Sequence, residues 1–334
     1  MDDQIEPSPE LKVQPTFDDD SSSNVLDLTS FQLHDISSVE LPSTLTEIDL
    51  TANRLTTIDS RISHLSALKK FSLRQNLIDD AGVEPISQWH EIAGLEELVL
   101  RDNKLNKIPD ASIFKWLLVF DVSFNEITSL EGLSKVSNTL KELYVSKNDV
   151  SKIEEIDHLH ELRILELGSN RLRVMENIQN LVKLEELWLG RNRIRIINLC
   201  GLNCIKKLSL QSNRITSMLG LEGCIALEEL YMSHNGIATM EGLSTLINLK
   251  ILDVSANKLT SITGIETLTK LEDLWLNDNQ ISSLDGIDEA VKGSKDTLTT
   301  IYLERNPCAK SPNYTKALRE IFTNVQQIDS DMFA

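Results

Sequence analysis

The chain has 334 residues, 51 of them acidic against 33 basic, for a net charge of −18 and a pI near 4.8. Such an acidic surface argues against nucleic acid as a partner, because phosphate-backbone binders concentrate lysine and arginine, and it favours a partner face that is basic or at least not acidic. Four scattered cysteines, an acidic start at Met1-Asp-Asp-Gln4 and no apolar run long enough to span a bilayer predict no disulfide framework, no secretory leader and no membrane association, in a reducing compartment.

Residues 1–23 hold Pro7, Pro9, Pro15, the run Asp18 to Asp20 and the run Ser21 to Ser23, with few side chains able to pack. They predict a disordered acidic tail, in which Ser8 before Pro9 and the serines beside the aspartates are candidate phosphorylation sites.

From residue 24 to 306 the chain repeats one pattern. Its clearest copy is Leu184-Glu-Glu-Leu-Trp-Leu-Gly-Arg-Asn-Arg-Ile194, with leucines at positions one, four and six, asparagine at nine and an aliphatic residue at eleven. This is the signature of a leucine-rich repeat. Twelve asparagines keep the frame: Asn53, Asn76, Asn103, Asn125, Asn148, Asn170, Asn192, Asn213, Asn235, Asn257, Asn279 and Asn306. A weaker copy from Leu26 to Leu33 has Phe31 at the asparagine position, as a capping repeat would. The spacing is 21 to 23 residues except for two steps of 27, Asn76 to Asn103 and Asn279 to Asn306, where the extra residues enlarge the segment returning from the strand.

In a short strand the leucines five and three residues before each asparagine point inward, while residues six, four and two before it point outward. One repeat cannot bury its own leucines; a stack of them buries a continuous core and lines its concave side with a parallel sheet. The asparagine amide falls where it can satisfy backbone groups of adjacent coils. Between strands, apolar residues recur every three positions, as at Ile237, Met240, Leu243, Leu246 and Leu249, which predicts turns and short 3₁₀ coils rather than long helices. The expected fold is an α/β solenoid of about 12–13 leucine-rich repeats over residues 24–306.

After Asn306 the repeat stops. Ala317, Leu318, Ile321 and Phe322 lie at helical spacing and predict an amphipathic helix that, within residues 307–334, closes the last coil.

The outward positions read as columns. Four residues before each asparagine stand Asp49, Ser72, Val99, Asp121, Tyr144, Glu166, Trp188, Ser209, Tyr231, Asp253, Trp275 and Tyr302. Three of the four tyrosines and two of the four tryptophans of the chain share this column with four acids and no base. Nothing in the repeat requires large aromatics on a face open to solvent, and these residue types dominate interface energetics. The column six before the asparagine is half acidic, Asp273 included. From Asp121 to Tyr302 the eight strand steps span roughly 40 Å, which suits a globular protein partner.

Other chemistry finds little support. The six histidines occupy unrelated repeat positions and no nucleophile, phosphate-loop or metal motif is present, so neither catalysis nor a cofactor is expected. Cys224 and Cys308 fall where the repeat wants a core aliphatic, and Cys200 and Cys204 in a returning segment, all read as buried apolar thiols. Arg171, Arg173, Arg191, Arg193, Arg195 and Arg214 cluster after the middle strands, where the expectation is a solvated rim paired with neighbouring glutamates.

The near-uniform 22-residue repeat, the acidic tail and the tyrosine-containing cap, with Phe71-Ser-Leu-Arg-Gln-Asn-Leu-Ile78, Phe120-Asp-Val-Ser-Phe-Asn125, Leu165-Glu-Leu-Gly-Ser-Asn-Arg171 and Leu274-Trp-Leu-Asn-Asp-Asn279, resemble the leucine-rich-repeat regulatory subunit of protein phosphatase 1 over about residues 45–330. The resemblance implies a non-catalytic regulator in nucleus and cytoplasm that grips the phosphatase catalytic subunit with its concave face, alongside a second small inhibitor. It implies that role for Asp121, Tyr144, Glu166, Trp188, Asp253, Asp273, Trp275 and Tyr302, to which the column adds Tyr231. Lys12-Val-Gln-Pro-Thr-Phe17 has the wrong spacing for the short basic-x-Val-x-Phe docking motif of many phosphatase regulators. A different reading of the same repeats is an adaptor in a ribonucleoprotein or a ciliary motor assembly.

Overall fold

A computed structural model describes residues 24–199 and 201–333. The tail, its serines and Cys200 lie outside the described residues. Thirteen three-residue strands follow one another in the chain: β1 (Val25–Asp27), β2 (Glu47–Asp49), β3 (Lys70–Ser72), β4 (Glu97–Val99), β5 (Val119–Asp121), β6 (Glu142–Tyr144), β7 (Ile164–Glu166), β8 (Glu186–Trp188), β9 (Lys207–Ser209), β10 (Glu229–Tyr231), β11 (Ile251–Asp253), β12 (Asp273–Trp275) and β13 (Thr300–Tyr302). All pair in parallel with their sequence neighbours, in one sheet whose order is the chain order. The register is strict, so Leu187 faces Leu208 and Trp188 faces Ser209. Each strand buries its middle residue and leaves its flanks at least partly outside in nearly every copy, the alternation read from the sequence.

Asparagines lock the coils together. Asn76 donates its amide to the carbonyls of Leu50 (2.9 Å) and Leu73 (3.1 Å), while its side-chain oxygen accepts from the Leu55 amide at 3.0 Å. Asn192 does the same with Leu167, Leu189 and Leu172. The ladder starts at Asn53, whose oxygen accepts from Leu33; Phe31, at the vacant asparagine position of the first coil, is exposed. The residue before each asparagine takes a left-handed backbone, φ between +50° and +59° from Ala52 to Arg305, although none of these is glycine.

The two longer repeats carry the extra structure their length implied. In the first, α1 (Asp80–Val83) is capped by the Asp79 carboxylate accepting from the Gly82 amide at 2.8 Å. A Cβ at Gly82 would stand 2.1 Å from the Thr56 carbonyl oxygen, so only glycine lets this insert lie against the preceding coil. In the second, α2 (Ile287–Ala290) buries Ile287 and Ala290.

The C-terminal cap is the predicted helix, α3 (Tyr314–Ile321), with Tyr314, Leu318 and the following Phe322 buried. The Tyr314 hydroxyl donates to Asp329 at 2.8 Å, and the other oxygen of that carboxylate accepts from the amides of Leu303 (2.7 Å) and Glu304 (2.9 Å). β14 (Gln327–Ile328) extends the sheet and β15 (Asp331–Met332) turns back antiparallel, ending the parallel series. Cys224 and Cys308 are core residues, as expected, but Cys204 is exposed, because the returning segment turns its flanks outward there.

Candidate protein-binding face

The strand geometry places the residues six and four before each asparagine side by side on the open face of the sheet. Three aromatics there hydrogen-bond to the glutamate two residues earlier on the same strand: Tyr144 to Glu142 (2.7 Å), Trp188 to Glu186 (3.1 Å) and Tyr231 to Glu229 (2.9 Å). Each glutamate fixes how its ring lies, which lowers the entropy that a ring would lose on meeting a partner. Burial, reinforced by the adjacent carboxylates, raises the Tyr144 phenol above its ordinary range and pushes Tyr231 up to about 12, so both hydroxyls stay protonated donors near neutral pH.

This face is less open than an isolated strand suggests. The rings pack on one another as well as outward: Trp188 and Tyr231 are stacked, and Trp275 meets Tyr302 edge-on with centroids 5.8 Å apart and planes at 78°. All five aromatics are half-buried. Trp275 departs from the pattern. Its neighbour two residues back is Asp273, one methylene shorter than glutamate, and the buried Trp275 Nε1 has no hydrogen-bond partner among the described residues. Tyr302 accepts from Gln327 Nε2 at 2.5 Å, which ties the last ring to the cap.

The acids of the column divide into two kinds. Asp121 and Asp253 turn back on the chain, accepting from the amides of Ser123 (2.8 Å) and Ser255 (2.9 Å), and Asp253 is only 6% exposed. Burial raises the Asp121 carboxyl above the usual range, against the lowering effect of the Ser123 hydrogen bonds and of Arg101, whose guanidinium lies 3.9 Å away. The side chains of Glu166 and Asp273 have no ion-pair or hydrogen-bond partner among the described residues, which leaves both free to meet a basic group.

Sequence columns missed one cluster. Phe124, in the left-handed position before Asn125, is flanked by Arg101 at 4.2 Å and Lys147 at 5.1 Å from its ring centroid, beside Asp121. The signal available was an aromatic at a position that favours small or polar residues. The arginine rim also departs from expectation. Only Arg171 is ion-paired, to Asp149 at 2.6 Å; Arg173, Arg191, Arg193, Arg195 and Arg214 have no acidic partner within ion-pair distance among the described residues. Successive coils repeat arginine at the same place, so Arg173, Arg193, Arg195 and Arg214 line one groove.

Comparison with known proteins agrees with the repeat fold. The family pattern described as leucine-rich repeats (2 copies) matches residues 225–268 and 247–289. The chain is 70% identical over 325 residues to an Arabidopsis thaliana protein called protein phosphatase 1 regulatory inhibitor subunit PPP1R7 homolog, covering 97% of this chain and 99% of that one. Among solved structures it is similar to a leucine-rich-repeat protein of Leptospira interrogans, with a TM-score of 0.69 and 27% identity over 86% of this chain and 80% of that one. An internalin of Listeria monocytogenes, with a TM-score of 0.74, 20% identity and coverage of 86% and 82%, shares the fold.

Proposed function

The chain belongs to the leucine-rich-repeat regulatory subunits of protein phosphatase 1, and from that premise we propose that it is a non-catalytic subunit whose concave face holds the phosphatase catalytic subunit. The observation that carries this reading is the row of half-buried, glutamate-oriented aromatics on β6, β8 and β10, continued by Trp275 and Tyr302. Such rings offer large apolar area at low entropic cost, the character of interface anchors. Glu166 and Asp273, whose side chains are unpaired among the described residues, would meet basic groups of the partner and fix its orientation. Asp121 and Asp253 contribute through the turns they hold as well as through charge.

A partner cradled along β5 to β13 would touch the three aromatic positions at Tyr144, Trp188/Tyr231 and Trp275/Tyr302. Because grip and catalytic outcome are separate matters, the same contact serves maturation, targeting or inhibition of the enzyme. The reading extends to nucleus and cytoplasm as places of action, and to a second small inhibitor in a ternary complex with the phosphatase.

The test is recovery of type-1 phosphatase catalytic subunit from cell extract by the full chain and by a Trp188→Ala/Trp275→Ala/Tyr302→Ala variant shown by circular dichroism to be folded. Recovery by the first and loss with the second is the expected result. Equal recovery by both would remove the concave face from the reading.

A further inference from the structure

The loops after β7, β8 and β9 carry a second feature that the concave face does not use. Arg173, Arg193, Arg195 and Arg214 border a groove of about 440 Å³ with Val174 and Ile196 at its surface, 57% and 76% exposed. None of the four guanidiniums has an ion pair among the described residues, in a chain that carries 51 acids. Exposed aliphatics ringed by open cations match a segment that alternates carboxylates with aliphatic side chains, since arginine takes carboxylates in pairs of parallel hydrogen bonds.

The chain itself contains such a segment outside the described residues. Asp2, Asp3, Glu6 and Glu10 stand around Ile5 and Leu11, and residues 1–23 hold seven acids against the single lysine Lys12. We propose that residues 2–11 dock in cis on this groove, the four acids meeting the four arginines and Ile5 or Leu11 covering Val174 and Ile196.

Reach permits it. The groove follows strands six to eight steps from β1, roughly 30–40 Å along the sheet. The fourteen residues from Glu10 to Asn24 can extend up to about 46 Å. Tethering then supplies an effective concentration on the order of millimolar, so a contact too weak to hold a free peptide suffices within one chain. Ion pairs on an exposed rim are screened by salt, so docking weakens as ionic strength rises. This inference is independent of the phosphatase reading, because it involves neither the concave aromatics nor a partner.

The test places a photo-activatable benzoylphenylalanine at Ile5 of the full chain and maps its crosslinks by mass spectrometry at micromolar protein. Intramolecular crosslinks concentrated on residues 173–175 and 195–197 are expected. An Arg173→Glu/Arg193→Glu/Arg195→Glu/Arg214→Glu variant, confirmed folded by circular dichroism, should lower that yield at least fivefold. Adding Asp2→Lys, Asp3→Lys, Glu6→Lys and Glu10→Lys to that variant should restore it, since the charges are exchanged rather than lost. Crosslinks spread over the solenoid, a yield indifferent to the arginines, or crosslinks joining two copies of the chain would each overturn the proposal.

Discussion

Trp188 and Tyr231 stack with ring centroids 6.4 Å apart and planes 21° from parallel, although a whole strand lies between them. The strand is β9, and its residue in that column is Ser209, which the two rings leave only 2% exposed. Two strand steps would separate the rings by roughly 10 Å, so they lean together over the small side chain. Replacing both by alanine, singly and together, should reveal a coupling of about 0.5–1.5 kcal/mol in urea unfolding of the free chain. Strict additivity would mean that the rings gain nothing from each other before a partner arrives.

Trp275 is the anchor with an unmet donor. Asp273→Glu adds the methylene present at Glu142, Glu186 and Glu229, and the longer carboxylate should accept from the indole nitrogen as Glu186 does from Trp188. Satisfying a buried donor should raise stability by about 1 kcal/mol, read as a higher urea midpoint with an unchanged slope. An unchanged midpoint would show that the donor is already satisfied.

Asp121 gives a pH signature. Its folded carboxyl is raised by burial, so the folded chain binds its proton more tightly than the unfolded one and stability falls as pH rises through this window. Asp121→Asn removes the buried charge and can keep the bond from the Ser123 amide. The variant should therefore be more stable than the parent at pH 7, with the difference closing as pH falls below the ordinary aspartate range. A thermal-melt series from pH 3 to pH 7 follows it; a variant less stable at pH 7 would reverse the sign. If Asp121 also serves the interface, the same variant loses affinity, the usual exchange of stability for function.

The left-handed residue before each asparagine is a local strain that the stack tolerates. His234 sits there with φ +56° and an exposed ring that makes no hydrogen bond among the described residues. His234→Gly removes the Cβ conflict at the cost of some unfolded-chain entropy, for a net gain of about 0.5 kcal/mol. Differential scanning calorimetry should show a small rise in melting temperature, whereas a fall would assign the ring a packing role.

Asn192→Ala tests the ladder. It would leave the Leu172 amide without its side-chain partner inside the stack, and take from the Leu167 and Leu189 carbonyls one of the two asparagine amides that each accepts from. A loss of about 3 kcal/mol is expected, with hydrogen exchange accelerating first in the coils on either side. Uniform acceleration along the chain would instead indicate that the solenoid opens as one unit.

Most of the fold was legible in the residues because a solenoid is built from contacts between neighbouring coils. The leucine spacing gave the strands, the asparagines gave the joints, and the two 27-residue steps gave the enlarged returning segments, though not the short helices α1 and α2 that fill them. Expectations that departed from the structure concerned side chains whose surroundings come from other coils. Cys204 fell in a returning segment yet is exposed. The arginine rim, expected to be paired with glutamates, is largely unpaired among the described residues.

The candidate site divides along the same line. Sequence alone determined which residues share the open face, since alternation in a strand and a constant repeat leave no freedom in that assignment. Tertiary structure decided what each one does there: Ser209 is small enough for Trp188 to reach Tyr231, Asp273 is too short to reach Trp275, and Asp253 bends back to its own turn while Glu166 stays free. The physical reason is one of range. Periodicity is a local rule written into every repeat, whereas ring stacking, unmet donors and ion pairs depend on the sizes and distances of side chains that meet only when the coils are stacked.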